Sequence, residues 1–340
     1  MIKILKWLLI VLIILFLVSQ GHMISYLLMQ GRGQINVLWN AVSIEEFLES
    51  NIANDSLRKK AQLVCEIKQF AKQELDLNSD GLYTTIFDQQ GEDILWNLTA
   101  CEPFKLKSKE WNFPLIGKVS YKGFFDLDKA KYEEKILKNE GWDTRIRPVN
   151  AWSTLGWFSD PILSKNLKRN EGALAELFIH EITHANVFLK DSVTFNENLA
   201  SFIGEKGAEL FLKQKFGEKS IQVEQYQQSN HDAQLFINQC LKGVSELNQI
   251  YNQFSPQMTI EKRSELKVEY IRKWVMQVEE LPFFDKKNYH NRFDKELPNN
   301  AFFMAFDRYD SKKELFSKEL IDRFDNDLKA FIKYYKEQNQ

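Results

Sequence analysis

The sequence is poor in cysteine and has no excess of basic residues, and each shortage excludes a class of site. Its 340 residues include 3 cysteines, none in a C-x-x-C spacing, which excludes a cysteine-based zinc site. Cys65, Cys101 and Cys240 are compatible with one disulfide and equally with three unpaired buried thiols. The formal net charge is −2, so the chain lacks the basic surface that neutralises a phosphate backbone, and we expect no nucleic-acid partner.

Long apolar runs are also absent, except for one at the N-terminus. Lys3 and Lys6 precede the apolar stretch Trp7–Val18. This pattern is typical of a signal sequence, and the stretch is short for a membrane span of about 20 residues. Residues 1–25 are therefore predicted to be either a cleaved signal sequence or a membrane anchor. In both cases we expect membrane contact through this segment and a domain, residues 26–340, in the cell envelope outside the cytoplasm.

The remaining pattern predicts an α+β fold that is predominantly helical. A capping box at residues 43–46 starts a helical region that resumes after Asn54 and Asp55 and runs to about Leu75. Short runs rich in β-branched and aromatic residues then predict strands at 82–87, 93–101 and 117–125. A charged helix at 128–139 and two more strand candidates within 144–158 follow. After Pro161 the chain is predicted to be helical, so we expect a small mixed sheet and a helical C-terminal half.

The segment 180–184 reads His-Glu-Ile-Thr-His on a predicted helix, for which Asn170 offers an N-cap. Histidines four residues apart lie on the same helix face, which suits two ligands of a tetrahedral zinc ion. Glu181 is rotated off that face, so it does not bind the metal but can reach a water that the metal activates. The segment predicts His180 and His184 as zinc ligands and Glu181 as the general base. The alternative is a pair of surface histidines near a helix end.

A third ligand is needed, and Glu197 is the first candidate. It follows Asn196, which can cap a helix. On that helix one face carries Glu197, Ala200, Ser201 and Gly204. A carboxylate followed by small residues lets this helix approach the histidines closely and deliver an oxygen to the metal. Glu205 and Glu209 are fallback candidates, with a solvated face as the favoured interpretation of both.

This Asn-Glu pair is the gluzincin arrangement seen in thermolysin-like enzymes, but its spacing differs. Only twelve residues lie between His184 and Glu197, so the connection must be tight. Thermolysin-like proteins also carry an aspartate one turn after the glutamate, where it orients a metal ligand. This chain has Ser201 there, which leaves the orienting partner of the histidines open.

Six stretches carry a wider resemblance, and they occur in order along the chain. They are residues 26–34, 119–126, 151–161, 178–181, 195–197 and 299–301. In these stretches the chain resembles the bacterial putative zinc aminopeptidase family. The resemblance implies a zincin-like metallopeptidase domain over residues 26–340, bound Zn²⁺, a peptide substrate and aminopeptidase activity.

We therefore expect a zinc-dependent peptidase. The alternatives are a membrane-associated metalloendopeptidase and a non-catalytic zinc-binding envelope protein. For contacts with the substrate or the oxyanion, the candidates are Tyr121, Tyr309 and Gly156. Gly156 belongs to a segment before the histidine helix that is either an edge strand for the substrate backbone or a core strand.

Overall fold

The computed structural model describes residues 21–50, 54–113, 117–149, 160–189, 192–310 and 312–338. This part of the chain is mostly helical with small sheets, as expected for an α+β fold. None of its helices is both long and apolar enough to cross a membrane. The predicted signal sequence or anchor falls largely on residues 1–20, outside the described residues.

Helices and short strands alternate through the N-terminal half. In chain order they are α1 (Gly21–Asn40), β1 (Val42–Ser43), α2 (Ile44–Glu49), α3 (Asp55–Glu74), β2 (Thr85–Phe87), β3 (Trp96–Cys101), β4 (Trp111–Phe113), β5 (Gly117–Val119), β6 (Lys122–Phe124), α4 (Leu127–Asn139), β7 (Asp143–Pro148) and β8 (Ile162–Leu163). A 3₁₀ turn (Ser164–Lys168) leads into the helical half.

The strands form three small sheets. Strand β2 pairs antiparallel with β1 and parallel with β8, which makes the predicted mixed sheet. Strand β3 lies between β6 and β7 in an antiparallel sheet, and β4 and β5 form a two-stranded one. The strand predicted at 82–87 is shorter because Tyr83 has a φ of 50°, which a strand cannot contain. The run at 117–125 is split into β5 and β6.

The C-terminal half consists of helices, as predicted. They are α5 (Glu171–Asn186), α6 (Val193–Phe216), α7 (Ile221–Asn252), α8 (Ile260–Glu279), α9 (Lys286–Tyr289), α10 (Asn300–Asp310), α11 (Lys313–Phe324) and α12 (Leu328–Glu337). The last two helices, α11 and α12, follow each other closely along the chain. They are separate because Asp325 and Asn326 have φ values of 49° and 63°, which end a right-handed helix.

Side-chain caps are present at three helix starts, and the sequence predicts two of them, at Ser43 and Asn170. Side-chain oxygens of Ser43, Asn54 and Asn170 accept hydrogen bonds from backbone N–H groups three residues later, at 3.1, 2.9 and 2.8 Å. These bonds satisfy N–H groups that have no partner within the helix. Helix α5, which carries the His-Glu-x-x-His segment, therefore starts directly after its predicted cap, Asn170.

A buried polar cluster joins the β3–β7 sheet to the helical half. The Lys267 ammonium pairs with Asp143 at 2.5 Å and donates to the Pro103 carbonyl at 2.9 Å. Asn300, fully buried, donates its backbone N–H to Asp143 and its amide to the Pro103 carbonyl. Its side-chain oxygen accepts from the Tyr251 hydroxyl at 2.7 Å. These paired groups hold α8 and α10 against β7.

Candidate metal centre

Helix α5 carries the His-Glu-x-x-His segment through the main hydrophobic core. The buried residues on its apolar side include Leu174, Phe178, Ile179 and Ile182. At its end the Asn186 amide donates to the Asn78 carbonyl at 2.9 Å and accepts from the Asn78 N–H at 2.8 Å. Because Asn170 caps the other end, both ends of the helix are fixed. His180 and His184 therefore project from a rigid element.

The two histidine side chains converge on one point. Their Nε2 atoms are 3.1 Å apart, and their rings meet edge to face with centroids 4.7 Å apart. At this distance the two nitrogens must share a proton or a cation, because two facing lone pairs repel each other. The helix spacing thus brings His180 and His184 together in the way that the motif predicts.

Glu197 brings a carboxylate from α6 to the same point. Its Oε2 lies 3.7 Å from Nε2 of His180, and its Oε1 lies 3.7 Å from Nε2 of His184. A zinc ion at 2.0–2.1 Å from each ligand separates two corners of its tetrahedron by about 3.3 Å. The separations of 3.1 and 3.7 Å lie on either side of that value. These three residues form a cluster that could hold a metal ion, with ligand atoms all within 4.8 Å of one another.

Small residues on α6 permit the close contact between the two helices. Ala200 is fully buried, and Gly204 faces α5 directly. A Cβ at Gly204 would lie 2.9 Å from the backbone oxygen of Glu176 and 3.1 Å from Cβ of His180. Real Cβ atoms almost never approach so closely, so α6 could not sit here with a larger residue. The predicted small-residue contact face is therefore confirmed at this position.

The prediction that Asn196 caps the second helix is wrong. Helix α6 begins earlier, at Val193, so Asn196 lies within its first turns. Its buried side chain instead accepts from the Leu189 N–H at 2.9 Å and donates to the Leu189 carbonyl at 2.8 Å. Asn196 thus ties the end of the connection after α5 to the helix that carries Glu197. This clamp is how so short a connection can deliver the carboxylate.

The electrostatic field of the cluster keeps Glu197 ionised. Burial raises the pKa of Glu197, but both histidine rings outweigh it and hold that pKa well below its usual range. Burial lowers the pKa of His180, but Glu197, Glu181 and Glu176 outweigh it and raise the pKa. The metal-free cluster therefore combines a carboxylate anion with an imidazole that binds a proton readily. A divalent cation would take the place of that proton.

Glu181 is set apart from the cluster and has surroundings that the sequence did not reveal. Burial chiefly raises its pKa, and the charges of Glu197 and Asp160 raise it further against the opposing histidines. Tyr83 lines the same small cavity as Glu181, and burial together with the charges of Glu181 and Asp160 raises its pKa well above the usual value. Tyr83 and Asp160 come from segments distant in sequence, and no pattern in the sequence linked them to Glu181.

The partner of His180 that the sequence left open is Ser201. Its Oγ lies 3.5 Å from Nδ1 of His180, the ring nitrogen that faces away from the cluster. Near it, the half-buried Glu176 accepts a hydrogen bond from the Tyr226 hydroxyl at 3.0 Å. Burial chiefly raises the pKa of Glu176. A hydroxyl at the ring nitrogen opposite the metal side is suited to fixing the tautomer and orientation of the ring.

Among the remaining predicted residues, those whose side chains the structure describes do not join this cluster. Glu205 forms an ion pair with Lys313, and Glu209 forms one with Lys213 at 2.9 Å, so both fallback ligands are engaged elsewhere. Tyr121 lies in the turn between β5 and β6. The backbone of Tyr309 belongs to α10, but its side chain is outside the described part of the chain, as is all of Gly156.

The cysteines take no part in the metal cluster. Cys65 is exposed, whereas Cys101 and Cys240 are buried, and the three form no disulfide with one another. Of the two interpretations left open by the sequence, the structure matches the one without a disulfide. Cys65 is nevertheless not one of the buried thiols that this interpretation assumed.

A cleft of about 600 Å³ opens beside the start of α6. Its lining includes Thr194, Trp142 and Met304, together with charged residues of the loop 102–110. Thr194 and Glu197 are three residues apart on α6, so they are neighbours on one helix face. The volume lies in the range of small-molecule and cofactor sites. The cleft therefore reaches to within one helical turn of the candidate metal ligand.

Comparison with known proteins gives one match. The family described as "Putative aminopeptidase" matches residues 25–340, nearly the whole chain. No curated protein and no solved structure matches the chain.

Proposed function

The chain belongs to the family described as "Putative aminopeptidase", and from this premise we propose that it is a zinc-dependent peptidase, most specifically an aminopeptidase. The observation that carries the proposal is the convergence of His180, His184 and Glu197 with ligand atoms within 4.8 Å. Three protein ligands of these types are what catalytic zinc sites use, with the fourth position left for water or substrate. The zincin-like character of the fold is part of the same proposal.

In this proposal His180, His184 and Glu197 hold the zinc ion. When bound, zinc supplies Lewis-acid chemistry, which activates a water and polarises the scissile carbonyl. Glu181 accepts a proton from the attacking water and passes it to the nitrogen of the leaving amine. A carboxylate suits this task when its pKa is raised towards neutrality, and burial has that effect on Glu181. Tyr83 lines the same cavity, and its raised pKa keeps it a protonated, neutral phenol beside this base.

The peptide is proposed to approach through the cleft beside Thr194. The loop 102–110 supplies both acidic and basic side chains to its wall, and Trp142 supplies an aromatic one. These groups offer contacts for the backbone, termini and side chains of a short peptide. We also propose that the N-terminal segment directs the protein to the cell envelope and associates it with a membrane, with the catalytic domain outside the cytoplasm.

The test combines metal analysis with a peptide-release assay on the purified protein. We expect about one zinc per chain, release of free amino acids from peptides, loss of release with a chelator and recovery with zinc. The matched variant is Glu181→Gln, which keeps size and polarity but cannot accept the proton. It should retain zinc and lose hydrolysis by about 100-fold or more. Full activity in Glu181→Gln would remove Glu181 from the mechanism.

The type of peptidase is decided by a pair of substrates. Aminoacyl derivatives with a free N-terminus report aminopeptidase activity, whereas blocked, internally quenched peptides report cleavage within a chain. Hydrolysis of only the first kind supports the aminopeptidase. Hydrolysis of the second kind would instead indicate the membrane-associated metalloendopeptidase, and stable zinc without either activity would indicate a non-catalytic zinc-binding protein.

A further inference from the structure

Helix α1 has two apolar faces, and only one of them is packed against the protein. Val37 is buried with Phe87 and Leu163 of the mixed sheet. Near the other end Tyr26 packs against Phe124 of β6. Gln30 adds a hydrogen bond from its amide to the Gly123 carbonyl at 2.8 Å. These contacts hold the inner face along the length of the helix.

The outer face carries large apolar side chains that water reaches. Leu28 is 69% exposed, Ile35 61% and Trp39 85%. They occur at i, i+7 and i+11, which places them within a narrow stripe, and Val37 lies half a turn away from Leu28. Leu27, 52% exposed, flanks the stripe. Because the inner face is fixed, the stripe cannot rotate into the core, and large exposed apolar side chains aligned on one helix face mark an interaction surface.

We propose that this stripe lies on a lipid bilayer, with α1 parallel to the membrane plane. The apolar run Trp7–Val18 ends three residues before α1 begins at Gly21. A trans chain of three residues spans at most about 10 Å. If the run enters or touches the bilayer, the start of α1 is held at the membrane interface. The short connection would therefore hold the stripe next to the same bilayer that the N-terminal run contacts.

The composition of α1 fits that occupant. The helix has 20 residues and contains no aspartate or glutamate, so nothing on it repels anionic headgroups. Exposed Arg32 lies beside the stripe, where it can pair with a lipid phosphate. Trp39 stands near the end of the helix, and tryptophan favours the membrane–water interface. Interfacial helices bury their apolar face about 5–10 Å into the boundary between headgroups and acyl chains. The leucine, isoleucine and tryptophan side chains of the stripe are long enough to reach this depth.

Site-directed spin labelling of the full chain tests this placement without reading peptidase activity. Cys65 is first replaced by serine, because it is the exposed cysteine. One label is placed at Ile35→Cys and a matched one at Ile260→Cys, an isoleucine with 67% exposure on α8. The protein is reconstituted with vesicles of phosphatidylethanolamine and phosphatidylglycerol. Power saturation then compares collisions with oxygen, which concentrates in lipid, and with a water-soluble nickel chelate.

The label at position 35 should collide severalfold more with oxygen than with the nickel chelate, and the label at 260 should show the reverse. Equal nickel accessibility at both positions would overturn the proposal. So would a label at 35 that is shielded from both reagents and shows spin–spin broadening that disappears on dilution with unlabelled protein, because a second copy would then cover the stripe. Circular dichroism confirms that each labelled variant is folded, and zinc-dependent hydrolysis is assayed separately.

Discussion

Gly204→Ala is the substitution that tests the contact between α5 and α6, the two helices that carry the candidate metal ligands. The added Cβ would lie 2.9 Å from the Glu176 carbonyl oxygen, 3.1 Å from Cβ of His180 and 3.3 Å from its backbone nitrogen. The nearest of these is a backbone atom of a packed helix, so it cannot rotate away. Helix α6 must therefore move outward by at least a few tenths of an ångström, and Glu197, seven residues earlier on the same face, moves with it.

The expected effects follow from this displacement. Overpacking costs about 1–3 kcal/mol of unfolding free energy, while alanine in a helix recovers about 0.5–1 kcal/mol relative to glycine. A net loss of roughly 0–2.5 kcal/mol remains. Because the Glu197 carboxylate is withdrawn from the histidines, zinc affinity should fall by about tenfold or more. Urea unfolding of the metal-free protein and zinc titration against a competing chelator measure the two quantities.

Two other glycines provide matched controls. At Gly31, on α1, a Cβ meets nothing within 4 Å, so alanine should stabilise the protein and leave zinc affinity unchanged. At Gly207 the nearest atoms, at 3.0 Å, belong to the side chains of Ile179 and Leu75, which can adjust. That variant should lose less stability and keep its zinc affinity. The reasoning is refuted if Gly204→Ala binds zinc like the unsubstituted protein and gains stability like Gly31→Ala.

The other predictions concern the ligands themselves. Glu197→Ala should reduce zinc affinity by more than the 10–100-fold typical of a lost orienting residue; unchanged zinc stoichiometry and affinity would move the third ligand elsewhere. Ser201→Ala should lower zinc affinity by about tenfold, and Ser25→Ala, at an exposed serine on α1, is the control. If the two variants bind zinc equally well, Ser201 is not the orienting group. Since the pKa of His180 is raised and that of Glu197 lowered, zinc must displace a proton from imidazole but none from the carboxylate. Zinc affinity should therefore fall as the pH drops through the pKa of His180. Calorimetry in buffers of different ionisation enthalpy should show that zinc binding releases a proton. Zinc binding that is independent of pH and releases no proton would contradict the assignment.

The local parts of the site could be predicted because their signals are local. The spacing of His180 and His184 follows from helical periodicity alone, and the cap at Asn170 places the start of the same helix. Glu197 could be proposed because small residues follow it at helical spacing. Asn196 was misjudged because a residue that can cap a helix can equally clamp a preceding loop, and only the tertiary position of Leu189 decides between the two roles.

The surroundings of Glu181 could not be predicted, because they come from distant parts of the chain. Tyr83 precedes Glu181 by nearly 100 residues and reaches it through a left-handed backbone conformation that no strand or helix pattern encodes. Helix α1 was not predicted either, because its residues entered the sequence analysis only through the resemblance and the proposed leader. The resemblance marked residues 26–34 but implied nothing about their structure.

X-ray absorption spectroscopy at the zinc edge of the zinc-loaded protein tests the central claim most directly. Two imidazoles, one carboxylate and a water predict only nitrogen and oxygen scatterers at about 2.0–2.2 Å, with the multiple-scattering pattern of two histidine rings. A sulfur scatterer at about 2.3 Å, or a pattern with fewer than two rings, would contradict zinc binding by His180, His184 and Glu197.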